Sequence, residues 1–133
     1  MEKAAIFLVN KSAKTSLINE DCETILHLAC ENGMRNLVEI LLEKSADPNV
    51  QSSKQTSSQT PMHKAILNSH EDILNIFIKH NAEQKGKVGS KFLANFNIKD
   101  SDGQSVLSLC LWSGLIALAK KLIGSLNFCL AYF

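Results

Sequence analysis

The chain has 133 residues, of which 45% are hydrophobic and 20% charged, with a formal net charge of +1. That length suits one compact body, and so balanced a charge supplies no basic field of the kind a nucleic-acid partner requires. Four cysteines, Cys22, Cys30, Cys110 and Cys129, show no C-x-x-C spacing and read as reduced packing thiols rather than a zinc site or a disulfide framework.

The first predicted element is a helix over Lys3 to Lys11, with an apolar run that is too short to span a membrane and lacks a leader cleavage site. It reads as the second half of a partial unit, residues 3–17. Residues 18–50 follow as a full unit. Thr24 is placed to cap a helix, on which Leu26, Ala29 and Cys30 fall on one face at i, i+3 and i+4. Gly33 permits a sharp turn, and Leu37, Val38, Leu41 and Leu42 then form the apolar stripe of a second helix ending near Ser45, before the turn residues Asp47-Pro48-Asn49.

Residues 51–83 repeat the plan behind a polar insertion. Gln51 to Gln59 holds no apolar residue, so burial cannot offset its ordering entropy and a mobile loop is expected. Thr60 then caps, Pro61 takes the first helical position where a missing N–H costs nothing, and Met62, Ala65 and Ile66 form the apolar face. The second helix, with Leu74, Phe77 and Ile78, is expected to end near Asn81. His70 and His80 on it are expected to be solvated. Residues 84–96 form a second insertion, in which Lys85, Lys87 and Lys91 give a basic, flexible start and Phe92, Leu93 and Phe96 an anchored end. The lysines are candidate partner contacts.

A divergent unit, 97–125, opens with the turn Asp100-Ser101-Asp102-Gly103 and the cap Ser105, and continues with Leu107, Cys110, Gly114 and Leu122. Trp112 stands where the first unit has Glu31, a position normally exposed. It is either a partner-binding aromatic or a residue covered by the insertion. Residues 126–133 form an apolar tail, with Leu126 where a left-handed helix cap is wanted. An exposed tail of this kind should promote self-association.

Thr24-Ile25-Leu26-His27, Thr60-Pro61-Met62-His63 and Ser105-Val106-Leu107-Ser108 thus open one pattern written three times. Helices this short are unstable alone, so the units must stack. The pattern resembles the ankyrin-repeat family, whose units of roughly 33 residues combine a β-turn and two helices around a T-P-L-H-x-A signature. The second unit matches best; the third departs at Ser105, Val106 and Ser108. The resemblance implies an all-α solenoid of about three and a half helix-turn-helix units with two long loop insertions. Thr24, His27, Gly33, Thr60, Pro61, His63, Gly103 and Gly114 are then structural repeat positions, and the function is non-catalytic protein binding. A closer resemblance lies in Ala4-Ala5-Ile6-Phe7-Leu8, Leu111-Trp112-Ser113-Gly114 and Leu122-Ile123-Gly124-Ser125, which are similar to an endosomal branch of the family whose members also carry a FYVE finger. This implies a cytoplasmic scaffold, peripheral to early endosomes through a full-length protein, serving endocytosis and vesicle trafficking, with a Rab GTPase or endosomal adaptor as partner. The chain lacks the cysteine-rich finger, so no direct membrane or phosphoinositide binding is expected of it.

No catalytic, cofactor or metal site is expected. The chain has no Gly-rich phosphate loop, no G-x-S-x-G elbow and no paired Cys/His spacing. Equal placement of His27 and His63 in successive units suits a structural bond, and Ser108 breaks any periodic histidine site. Asp100, Asp102 and Gly103 lack the later Glu of a calcium loop. The alternative readings are a truncated or mis-spliced fragment without independent function, and an adaptor in another pathway.

Overall fold

The computed structural model describes residues 2–11, 14–84 and 93–125. In chain order the helices are α1 (Glu2–Asn10), α2 (Ile25–Glu31), α3 (Arg35–Glu43), α4 (Pro61–Leu67), α5 (Glu71–Gln84), α6 (Val106–Trp112) and α7 (Ile116–Ser125), with a short 3-10 turn over Lys54–Thr56. There is no β-strand among the described residues, although Ile18 and Thr24 form an isolated antiparallel bridge.

Helix α2 packs on α4 and α4 on α6, which makes one layer; α1, α3, α5 and α7 pack in sequence to make the other. Each unit therefore folds as an antiparallel helix pair whose buried stripes face each other and the next pair. Leu26 and Met62 from the first layer meet Leu41, Phe77 and Leu122 from the second, all 0% exposed, in one continuous core. Leu107, expected in that core, is only half-buried. No described residue stacks beyond its helix to cover it. The turns between paired helices use left-handed backbone at Gly33 (φ 68°), Ser69 (φ 62°) and Gly114 (φ 73°), a conformation glycine adopts without steric cost.

Two segments differ from their sequence-based expectation. Helix α5 runs on to Gln84 instead of ending near Asn81, giving 14 residues against 9 in α3. α3 stops because Ser45 turns left-handed (φ 63°) and Ala46 N–H reaches back to Leu41 O at 2.9 Å, the usual means of satisfying a helix's last carbonyls. Asn81 stays helical, and its amide holds another segment instead: Nδ2 donates to Ala94 O at 2.9 Å and Ala94 N–H donates to Oδ1 at 2.8 Å. The same device recurs at Asn49, which donates to Leu93 O at 2.9 Å and accepts from Asn95 N–H at 2.7 Å. These two amides seat Ala94 and Phe96 in the core.

The polar segment Gln51 to Gln59 is the second difference. It has a defined fold in place of the expected mobile loop. Ser52 N–H donates to Gln59 O at 2.8 Å, Ser53 N–H to Asp21 O at 2.8 Å, and Ser101 N–H to Ser57 O at 3.0 Å. Backbone bonds to the units on both sides supply the order that apolar burial does not.

Candidate protein-binding face

The first helix of each unit is set by its cap. The Thr24 and Thr60 hydroxyls accept the N–H of His27 and His63, each at 3.4 Å, and each imidazole Nδ1 accepts the threonine N–H in return, at 3.0 and 3.2 Å. Two orphan amides are thereby satisfied reciprocally at each helix start. The other ring nitrogen reaches into the next unit: His27 Nε2 donates to Gln59 O at 2.9 Å and His63 Nε2 to Gln104 O at 2.8 Å. Both rings are 0% exposed, and burial pushes both imidazoles below their ordinary value. A ring with both nitrogens engaged and no access to solvent offers neither a metal ligand nor a general base. In the third unit Ser105 caps the N–H of Ser108 at 3.2 Å, and the Ser108 hydroxyl pairs with that of Ser105 at 3.1 Å.

The remaining repeat positions are backbone devices. Pro61 is buried at the first position of α4. Gly103 (φ 75°) closes the turn in which Asp100 Oδ1 accepts from Asp102 and Gln104 N–H at 3.0 and 2.8 Å. Two local amide bonds thus occupy this carboxylate as a turn residue. At Gly33 an added Cβ would lie 2.8 Å from His70 Cε1, whereas nothing stands within 4 Å of one at Gly114.

The caps and joints leave one face of the first layer free. Positions four and seven residues past the cap lie on the same side of each helix. They carry Leu28 and Glu31 on α2, Lys64 and Leu67 on α4, and Leu109 and Trp112 on α6. Trp112 is 82% exposed and Leu67 51% exposed. Lys64 is held by Glu23 at 2.6 Å and Glu31 at 3.7 Å. Burial alone would raise the Glu23 carboxyl, but the Lys64 and Asn19 bonds and the Lys64 charge outweigh it and leave the group lowered. The resulting face is charge-neutralised at α2–α4 and apolar at α4–α6, suited to binding a surface rather than activating a substrate.

Lys85, Lys87 and Lys91 lie outside the described residues, as do the apolar tail and Cys129. Cys22, Cys30 and Cys110 are free thiols; burial pushes Cys110 up to about 11. Among the described residues no group of three or more His, Cys, Asp or Glu is placed to hold a metal ion, and no helix is long and apolar enough to cross a membrane. His70, expected to be solvated, instead donates from Nε2 to Glu31 O at 3.1 Å and lies over Gly33 as a link between units. Its signal in the sequence is the column it interrupts, since Met34 and Leu115 hold the same position in the neighbouring units. Lys64 likewise replaces leucine in the column of Leu28 and Leu109, but no spacing reveals that Glu23 and Glu31 converge on it.

A family model described as three copies of ankyrin repeats matches residues 2–87. The chain belongs to the ankyrin-repeat family. The matched span stops short of the third unit, where Ser105, Val106 and Ser108 replace the family's Thr, Pro and His. The chain is 34% identical to human Rabankyrin-5 and 33% identical to the mouse protein of that name, in each case over 93% of its own length. It spans only 12% of the length of either. An ankyrin repeat protein of Fowlpox virus (strain NVSL) is 30% identical over 57% of this chain and 17% of its own. Ankyrin repeats are protein-interaction modules.

Proposed function

We propose that the face formed by Leu28, Lys64, Leu67, Leu109 and Trp112 binds a protein partner, and that the chain serves as a non-catalytic scaffold in endosomal trafficking with a Rab GTPase or endosomal adaptor as that partner. The observation that carries the binding role is Trp112, 82% exposed at the end of α6. Large aromatics left open on a rigid element are the residues that most often dominate an interface. The likeness to Rabankyrin-5 along nearly the whole chain supports the choice of partner and the endosomal setting.

Calorimetric titration of the chain with Rab GTPases loaded with GTP or GDP tests this reading. The expected result is saturable binding to a GTP-loaded Rab, weakened at least about tenfold by Trp112→Ala and unchanged by Lys120→Ala on the opposite layer. No heat with any Rab in either nucleotide state would remove the Rab assignment. A Trp112→Ala chain that binds as tightly as the parent would remove the face.

A further inference from the structure

Seven residues past its cap, each helix of the first layer carries Glu31 on α2, Leu67 on α4 or Trp112 on α6. Because α2 packs on α4 and α4 on α6, the three stand in one row across the stack, which changes from a carboxylate through an aliphatic to an aromatic side chain. All three are open to solvent, the Glu31 side chain at 39%. Neutralisation by Lys64 leaves one charge over. Its single ammonium serves two carboxylates, with Nζ 2.6 Å from the buried Glu23 and 3.7 Å from Glu31, the second beyond hydrogen-bond length. Glu31 therefore keeps acceptor capacity on the open side. Its backbone is also fixed, since His70 Nε2 donates to the Glu31 carbonyl at 3.1 Å from the next unit. A carboxylate carried on a fixed backbone loses little freedom when it takes a partner.

We propose, resting on the reading of this face as a protein-binding surface, that the partner presents an extended segment with two different anchors: an apolar side chain that seats against Leu67 and Trp112, and a Lys or Arg that pairs with Glu31. The chemistry of each end selects its occupant. A carboxylate whose neighbouring ammonium is engaged elsewhere attracts a cation and repels an acidic chain. Trp112 and Leu67 gain by shedding water against an apolar side chain. Two helix spacings of roughly 8–10 Å separate the ends of the row, so the anchors stand about 16–20 Å apart. An extended chain, rising about 3.3 Å per residue, covers that distance in about five or six residues.

Phage selection of tryptophan-free random dodecapeptides on the chain tests the proposal, because Trp112 is the one tryptophan in the sequence and its emission reports directly on the face. The selected peptides should pair a large apolar residue with a Lys or Arg about five or six positions away. They should shift Trp112 emission to the blue on titration and lose affinity at least about twofold in Glu31→Gln. The same loss of charge in Glu39→Gln, on the exposed side of α3, should leave them unchanged. Selection on Glu31→Lys should turn to Asp or Glu at the same spacing, a reversal that unfolding cannot produce. Peptides that bind by calorimetry and fail to bind Trp112→Ala, yet carry no basic residue and ignore Glu31→Gln, would overturn the proposal and leave the binding face standing. No enrichment, or peptides indifferent to Trp112→Ala, would remove the face and the proposal together.

Discussion

The imidazole of His27 donates from Nε2 to the carbonyl of Gln59 at 2.9 Å, joining the start of α2 to the residue that precedes the Thr60 cap. A carbonyl can only accept, so Nε2 carries the proton and Nδ1 is left to accept the Thr24 N–H at 3.0 Å. His63 repeats the arrangement with Gln104 and Thr60. Both joints require the neutral ring, because a protonated Nδ1 has no lone pair for the cap amide.

Stability should therefore fall in mild acid. Burial lowers both histidines from the ordinary 6.5, so the folded chain takes up protons less readily than the unfolded one. The contribution is complete above 6.5 and declines as pH drops towards the folded values. Glu23, also lowered, adds a second loss below its ordinary 4.5. Urea midpoints should be lower at about pH 5 than at about pH 7.5. His63→Ala should cost about 1–3 kcal/mol at the higher pH and flatten the slope. Equal midpoints at both pH values in the parent would count against the joint.

Leu41 and Phe77 fill equivalent places on α3 and α5, each 0% exposed. Truncating either to Ala should remove about 2–5 kcal/mol through lost burial and the cavity left behind. Circular-dichroism melts check this, and a Leu41→Ala curve overlaying the parent would show that the stripe does not face the core.

Gly33 and Gly114 share a left-handed turn but not its surroundings. Gly114→Ala should cost only about 1 kcal/mol, the backbone penalty alone. Gly33→Ala should cost more, since the new methyl would stand 2.8 Å from the His70 ring and displace it from Glu31 O. The double variant Gly33→Ala/His70→Ala should recover part of that excess. Strict additivity in the cycle would sink the proposed contact.

Asn81→Ala removes both bonds to Ala94 and should lower stability by about 1–3 kcal/mol. Its local signature is faster hydrogen exchange over Leu93 to Phe96 with α2 and α3 unchanged. Uniform acceleration across the chain would mean that the amide does not act as a local clamp.

The repeat, its caps and its core were legible in the sequence because they depend on short-range chemistry. A hydroxyl at the helix start, a proline beside it and an apolar residue every three or four positions act within one helix or one pair, and the period of the chain lines them up. Thr24, Thr60 and Ser105 could be named as caps before any contact was known. The same reasoning misjudged Gln51 to Gln59, because it counted apolar side chains and could not see the backbone partners Asp21 and Ser101 that the neighbouring units bring to it.

Only the tertiary structure decided what the long-range polar groups do. Asn49 and Asn81 look like turn and helix-end residues, yet both hold the last residues of the insertion, at Leu93 and Ala94. His70 looks like a surface histidine, yet it bridges to Glu31 across the stack. Trp112 could have been covered or open, and at the end of α6 it stands 82% exposed. Apolar periodicity encodes which face of a helix is buried. A hydrogen bond between residues dozens of positions apart leaves no period, so its partner emerges only when stacking sets the distance.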